Sequence, residues 1–415
     1  DSTGVVTVDG NDSLWRNSSL TDVGNGTLNI QNGGRVSNPD GIIASNSNWT
    51  GVVTVNGSGS QWNNSSELEV GKSGSGTLNI QAGGLVSSVK GYLGGSDNAN
   101  SIGVATVNGS GSQWNNISEL QVGELGSGTL NIQAGGLVTN TDGIIARHSS
   151  AIGVATVTGS GSQWDNSSDL EVGRKGSGTL NVEAGGVVSN INGIIGRDSG
   201  STGVVTVTGS GSQWNNSSEL QVGNYGNGTL NIQTGGTVNV AGATTLGQAG
   251  YLYLEGGTLN TGTYENFTES TFIFNSGTLG ITDQNFNLST ASILGSQHSI
   301  KPDQTINVTQ QAFINSNTTV TIFGNLNTTA GLTNNGNLIL VDLTGQGKTM
   351  SGQVNSPAGS TITLVGDTTF TSQVSGAGNF FGPGTATFQG GYSPGDSPAI
   401  VTFESDLALL DTNTL

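Results

Sequence analysis

The stretch GVVTVNGSGSQWNN, residues 51–64, returns as GVATVNGSGSQWNN from Gly103, GVATVTGSGSQWDN from Gly153 and GVVTVTGSGSQWNN from Gly203, with a looser copy, GVVTVDGNDSLWRN, from Gly4. Aligned on Trp15, Trp62, Trp114, Trp164 and Trp214, the copies stand 47, 52, 50 and 50 residues apart. A period near 50 is shared by propeller blades and solenoid segments. The second half of the unit, GTLNIQAGGLVSSVKGYLGG at residues 76–95, decides between them. It matches the first half in register: Val53 and Val55 align with Leu78 and Ile80, Trp62 with Val86, and Val70-Gly71 with Leu93-Gly94. The underlying period is therefore about 25 residues, three short strands parted by Gly, Asn and Ser turns. A four-stranded antiparallel blade has no reason for such a half-period. The reading is an all-β, right-handed parallel β-helix, with three strands per coil and two coils per sequence unit.

The first strand of each coil alternates inward and outward residues, as a half-buried strand does. One inward column runs Val6, Leu28, Val53, Leu78, Ala105, Leu130, Ala155, Leu180, Val205, Leu230, and a second runs from Val8 and Ile30 to Val207 and Ile232. Between them the outward column reads Thr7, Asn29, Thr54, Asn79, Thr106, Asn131, Thr156, Asn181, Thr206, Asn231. A lone unit would bury too few apolar side chains to offset the ordering of its backbone, so stacking is the reason for repetition.

Composition supports this class. Seventy glycines and 9 % charged residues depart from average usage, but the strand period argues against a disordered linker. There is no cysteine, hence no disulfide framework and no thiolate metal site. A net charge of −18 repels phosphate backbones and anionic lipid, so no nucleic-acid partner is expected. No apolar run is long enough for a membrane helix, so no direct membrane insertion is expected of this segment. The start at DSTG, without Met, reads as a chain whose leader has been removed or trimmed. Residues 1–250 are read as five tandem 50-residue repeats forming the regular solenoid, and 251–380 as its irregular continuation, with strand-like runs such as STFIFNSGTLGI and STITLVGDTTF. Residues 381–415 are read as the truncated start of a distal C-terminal segment.

The units GVVTVNGSGSQWNNSSELEVGKSGSGTLNIQAGGLVSS resemble the type V secretion and PEP-CTERM-associated repeat of bacterial autotransporter passengers and related surface proteins. The tail GGYSPGDSPAIVTFESDLAL, residues 390–409, is similar to a segment that follows such repeats. The resemblance implies an exported β-solenoid on a bacterial outer surface, with no catalytic motif to carry over.

Each candidate residue also has a plainer role. The tryptophan column could stack on sugars, but its alignment with Val36, Val86, Val138, Val188 and Val238 predicts core packing, leaving Trp49 as the expected exposed aromatic. The acidic column Glu67, Glu119, Asp169 and Glu219, with Glu69 and Glu171 two positions on, reads as a solvated face. No cofactor is expected. Calcium would need five or more converging oxygens, and only weak binding at this column is left open. A polysaccharide-cleaving site would need a local carboxylate cluster, whereas the acids are spread out, His148 and His298 lack evident partners, and Asp367, Asp396 and Glu404 belong to no motif. Thr-x-Thr pairs such as Thr156 with Thr158 suggest ice binding, but the alternate coils carry Asn. The expectation is a non-enzymatic adhesion or self-association module. Its interaction face is the Thr/Asn column, and its partner is another copy, laterally or head to tail, or a surface glycan or matrix. The alternatives are a head-to-tail filament subunit and a polysaccharide-binding or polysaccharide-degrading β-helix.

Overall fold

In the computed structural model, residues 3–395 and 400–409 are described. They form a β-solenoid whose successive coils pair in parallel, as Thr50–Asn56 with Ser75–Gln81 and Asn337–Val341 with Thr361–Val365, and their sole helical element is the single 3-10 turn Ser292–Leu294. None of it is a helix long and apolar enough to cross a membrane. Two compact units divide the chain. The first runs to Tyr253 and takes in Glu265–Thr271; the second holds Leu254–Tyr264 and the chain from Phe272.

In the first unit, one coil consists of Thr50–Asn56, Gln61–Asn64 and Glu67–Val70, and the next of Ser75–Gln81, Leu85–Ser88 and Lys90–Leu93. Each strand pairs with its counterpart in the next coil: Val53 with Leu78, Trp62 with Val86, Val70 with Leu93. The half-period read from the sequence is thus the coil itself. Trp62, Trp114, Trp164 and Trp214 are fully buried, while Trp15, in the first described coil, is half-buried.

The tryptophans explain why the sequence unit is two coils long. Each indole alternates with valine in its own column, Trp62, Val86, Trp114, Val138, Trp164. In the third strand a second column alternates Leu68, Gly91, Leu120, Gly143, Leu170. A Cβ on Gly143 would fall 2.3 Å from Asn166 Oδ1, 2.8 Å from Leu170 Cδ1 and 3.1 Å from Trp164 Cζ2. The glycine of one coil therefore makes the room that the indole of the next fills, and large meets small as close packing requires.

The rest of the quoted stretch is equally committed. Ser60, Ser112, Ser162 and Ser212 are fully buried. Ser60 Oγ accepts the backbone N–H of Gly33 in the neighbouring coil at 3.0 Å and donates to Asn56 O at 2.7 Å, and Ser112 and Ser162 repeat the pattern on Gly83 and Gly135. The residue two after each buried tryptophan joins an internal polar ladder. Trp164 Nε1–H donates to Asn140 Oδ1 at 2.7 Å, Asn140 Nδ2 donates to Asn166 Oδ1 at 2.6 Å, and Asn166 Nδ2 donates to Ser189 O at 3.2 Å. Trp62 and Trp214 use Asn38 and Asn190 in the same way. One rung departs: Ser88 replaces asparagine, its Oγ lies 3.4 Å from Trp114 Nε1, and Asn116 Nδ2 is buried without a partner.

After Val222 the corner between second and third strands straightens, and the single strand Thr237–Leu246 pairs with both Gln213–Asn216 and Leu220–Val222. In the second unit phenylalanine replaces the Trp–Gly arrangement. Phe370 stacks on Phe388 at 5.3 Å and Phe380 on Phe403 at 4.9 Å. In the tail, Tyr392–Ser393 pairs with Val374–Ser375 and Asp406–Leu409 with Thr385–Phe388. Asp396 lies outside the described residues.

Removing the ladder's acceptor at Asn140→Ala should lower stability by about 1–3 kcal/mol, because the buried Trp164 Nε1–H loses its partner. Ser88→Asn should raise it by about 1 kcal/mol by shortening the long Trp114 hydrogen bond toward the 2.7 Å of the Trp164 rung. Denaturant unfolding of the two variants beside the parent chain measures both; a neutral Asn140→Ala would show that the ladder does not support the tryptophans.

Candidate interaction face

Three faces follow from three strands per coil, and they differ in how their outward side chains are used. On the first face, all ten residues of the expected column stand in unbroken register: Thr7 beside Asn29, then Thr54, Asn79, Thr106, Asn131, Thr156, Asn181, Thr206 and Asn231. Coils stack at about 4.8 Å, so hydroxyls and amides recur at that interval. A flanking column alternates Val52, Thr77, Val104, Thr129, Val154 and Thr179, all half-exposed. From Thr50–Asn56 to Asn227–Gln233, the outward positions of the first strands carry a single charge, Glu183. Among the described residues, the side chains from Asn29 to Asn181 in the column make no hydrogen bond to protein, and only Asn231 Nδ2 reaches Thr206 Oγ1, at 3.4 Å. Their donors and acceptors are free for a partner.

The second face has already used its polar groups. Ser87 Oγ donates to Asn63 Oδ1 at 3.0 Å, Thr139 Oγ1 to Asn115 Oδ1 at 3.1 Å, and Asn239 Nδ2 to Asn215 Oδ1 at 2.8 Å, so neighbouring coils hold each other.

The third face collects the charge and corrects the reading of a solvated acidic face at two positions. Glu67, Glu119 and Asp169 are half-exposed and Glu219 is exposed, but Glu69 and Glu171 are buried. Their carboxylates are held by the few cations. Glu69 Oε1 lies 2.9 Å from Lys72 Nζ, and its Oε2 accepts from Ser96 Oγ at 2.7 Å. Glu171 sits between Arg174 and Arg197. Glu119 pairs with Lys90 and with Arg147, each at 3.3 Å. Ion pairing is the reason that an outward column can be covered here: side chains that cancel each other's charge pack over the strand where isolated carboxylates would stay in water. Burial pushes the Glu171 carboxyl upward despite its arginines. Glu124 has no such pairing, and burial, reinforced by the negative charge of Glu69, raises it to about 7.

The remaining expected residues take other places. Trp49 is half-buried rather than exposed: a Cβ on Gly24 would fall 2.5 Å from Trp49 Cζ3, so the ring covers that glycine. Burial and the neighbours Arg147, Lys175 and Arg174 lower His148, while His298 belongs to the second unit. Asp367 Oδ1 accepts the backbone N–H of Thr385 at 2.8 Å. Among the described residues no three His, Asp or Glu side chains are grouped to hold a metal ion.

No family model matches the chain, and no curated protein matches it. Among solved structures, the crystal structure of a TibC-catalysed, hyper-glycosylated TibA fragment is similar to it over 96% of this chain and 100% of that one, at 16% identity and a TM-score of 0.34. A likeness at that level says nothing of function.

The raised Glu124 carboxyl gives a pH test of the third face. Between its ordinary value of 4.5 and about 7 the folded chain keeps a proton that the unfolded chain releases. That contribution to stability is complete below the lower value and is lost as pH climbs through the upper one. Glu124→Gln should remove this fall and melt above the parent chain at a pH well above 7. Identical pH profiles for the two chains would place Glu124 in a solvent-like setting.

Proposed function

We propose that the chain is a non-enzymatic, exported β-solenoid of a bacterial surface, acting in adhesion or self-association through its first face. The observation that carries the reading is the uncharged, in-register Thr/Asn column, in which the side chains from Asn29 to Asn181 are left free of protein partners. Two copies that each carry −18 repel over most of their surface, so a lateral contact favours a face without charge. Each hydroxyl or amide contact contributes little, but rung after rung engages without a further loss of rotational freedom. The composition without cysteine and the resemblance to autotransporter passengers agree with export to the outer surface. The partner is another copy or a surface glycan or matrix, and the acidic balance disfavours nucleic acid. No cofactor has a role in this contact.

Substitution separates this reading from end-to-end stacking. The triple variant Thr106→Lys, Thr156→Lys and Thr206→Lys places like charges along the face, whereas Ser87→Lys places one on the second face. Sedimentation over a concentration series should show association of the parent weakened at least about tenfold by the triple variant, since opposed like charges cost several kcal/mol. Ser87→Lys should leave it unchanged. The triple variant also reduces the net negative charge, so a general repulsion would change in the opposite sense. Association that survives it belongs to the coil ends, and a parent chain that stays monomeric sinks self-association altogether.

A further inference from the structure

The turn that returns each third strand to the next first strand carries charge in the second, third and fourth copies: Lys72-Ser73, Glu124-Leu125, Arg174-Lys175. In the last copy it reads Asn224-Tyr225. The charge disappears and an aromatic takes its place, 77% exposed. A second ring, Phe267, 55% exposed, comes from the segment Glu265–Thr271 of the same compact unit. Together with Tyr251 these are the only exposed aromatic side chains among the described residues, whereas Trp62, Trp114, Trp164 and Trp214 are buried.

Tyr225 and Phe267 border one cleft of about 370 Å³, with Gln221, Asn224, Thr245 and Gln248 along its walls. No charged side chain lines it, in a chain of net charge −18. None of these four polar side chains makes a hydrogen bond to another described residue, in contrast to the paired amides of the second face. The rings are nonetheless set by backbone: Tyr225 N–H donates to Arg197 O at 3.1 Å, and Phe267 N–H to Leu246 O at 3.0 Å. Ser270 closes the turn by donating its N–H and Oγ–H to Phe267 O at 3.0 and 2.7 Å.

We propose that this cleft is a binding site for a neutral glycan, a sugar ring stacking on Tyr225 or Phe267 while its hydroxyls engage the free amides of Gln221, Asn224 and Gln248. A pyranose offers an apolar C–H face and a hydroxylated rim, and the cleft offers aromatic faces beside amides that both donate and accept. Its volume lies at the low end of small-molecule sites, suited to a short run of glycan. A nucleotide would also stack, but its phosphate meets an acidic chain without a compensating cation in the cleft, and an anionic sugar meets the same penalty. The inference goes beyond the lateral contact proposed above and does not depend on it, because the cleft operates in a monomer.

Saturation-transfer difference NMR on the full chain, with cellotetraose, maltotetraose, mannotetraose and chitotetraose as neutral probes and tetragalacturonate as the anionic one, tests it. At least one neutral probe should bind at millimolar concentration or below, and tetragalacturonate should bind at least about tenfold more weakly. At least one of Tyr225→Ala and Phe267→Ala should weaken the neutral probe by about tenfold or more, that is about 1.4 kcal/mol. Tyr225→Phe, which keeps the ring, should bind within about threefold of the parent, because the aromatic face is unchanged. Both rings are exposed, so unchanged melting of the alanine variants confirms that the fold is intact. No binding of any neutral probe, equal binding of tetragalacturonate, or unaltered binding by both alanine variants overturns the proposal. Each of these readings holds whether or not the chain self-associates.

Discussion

The fit of an indole above a glycine governs the regular part of this molecule. Trp164 occupies space that Gly143 leaves free in the adjacent coil, and its Nε1–H needs an acceptor inside the core, which Asn140 supplies. Both requirements reach across a coil boundary. A coil that carries tryptophan therefore suits a neighbour that carries glycine and a buried amide, and two coils, rather than one, become the unit that the chain copies.

The same fit distributes the polar groups. The interior ladder through Asn140 and Asn166 and the buried serines such as Ser60 satisfy the inside of the corners. Pairs such as Ser87 with Asn63 bind coils together on the second face. Charge collects on the third, where Lys72, Arg147 and Arg174 meet the carboxylates. With cohesion provided elsewhere, the first face keeps its column from Asn29 to Asn181 unengaged.

Much of this was legible in the sequence because parallel stacking turns similarity between copies into adjacency in space. The Thr/Asn column, the inward aliphatic columns and the pairing of Trp62 with Val86 follow from alignment alone. Less legible were features whose meaning lies between columns. Asn64 and Asn140 recur as regularly as any outward asparagine, and nothing in their spacing distinguishes an interior amide. Glu69 and Glu171 look like surface acids until the lysine and arginines of the adjoining turns are brought over them. Trp49 lies over Gly24 from a turn that recurs in the later copies, but there the equivalent positions carry Ser101, Ala151 and Ser201, so alignment offers no second ring to reveal the contact. The aromatic cleft was available only as a departure: Tyr225 stands where earlier copies place Ser73, Leu125 and Lys175, and its partner Phe267 lies beyond the regular repeat.

The alternation of Trp and Gly coils also limits how such a chain can change its length. Excising one coil of about 25 residues would set two tryptophan coils or two glycine coils against each other, crowding indoles in one case and leaving voids in the other. Excising or duplicating a pair restores the alternation. Recombination between copies is therefore tolerated in whole pairs, and the tryptophan spacings of 47, 52, 50 and 50 contain neither a half step nor a step and a half. The reach of the first face is thereby inherited in discrete increments, each adding one threonine and one asparagine to the column.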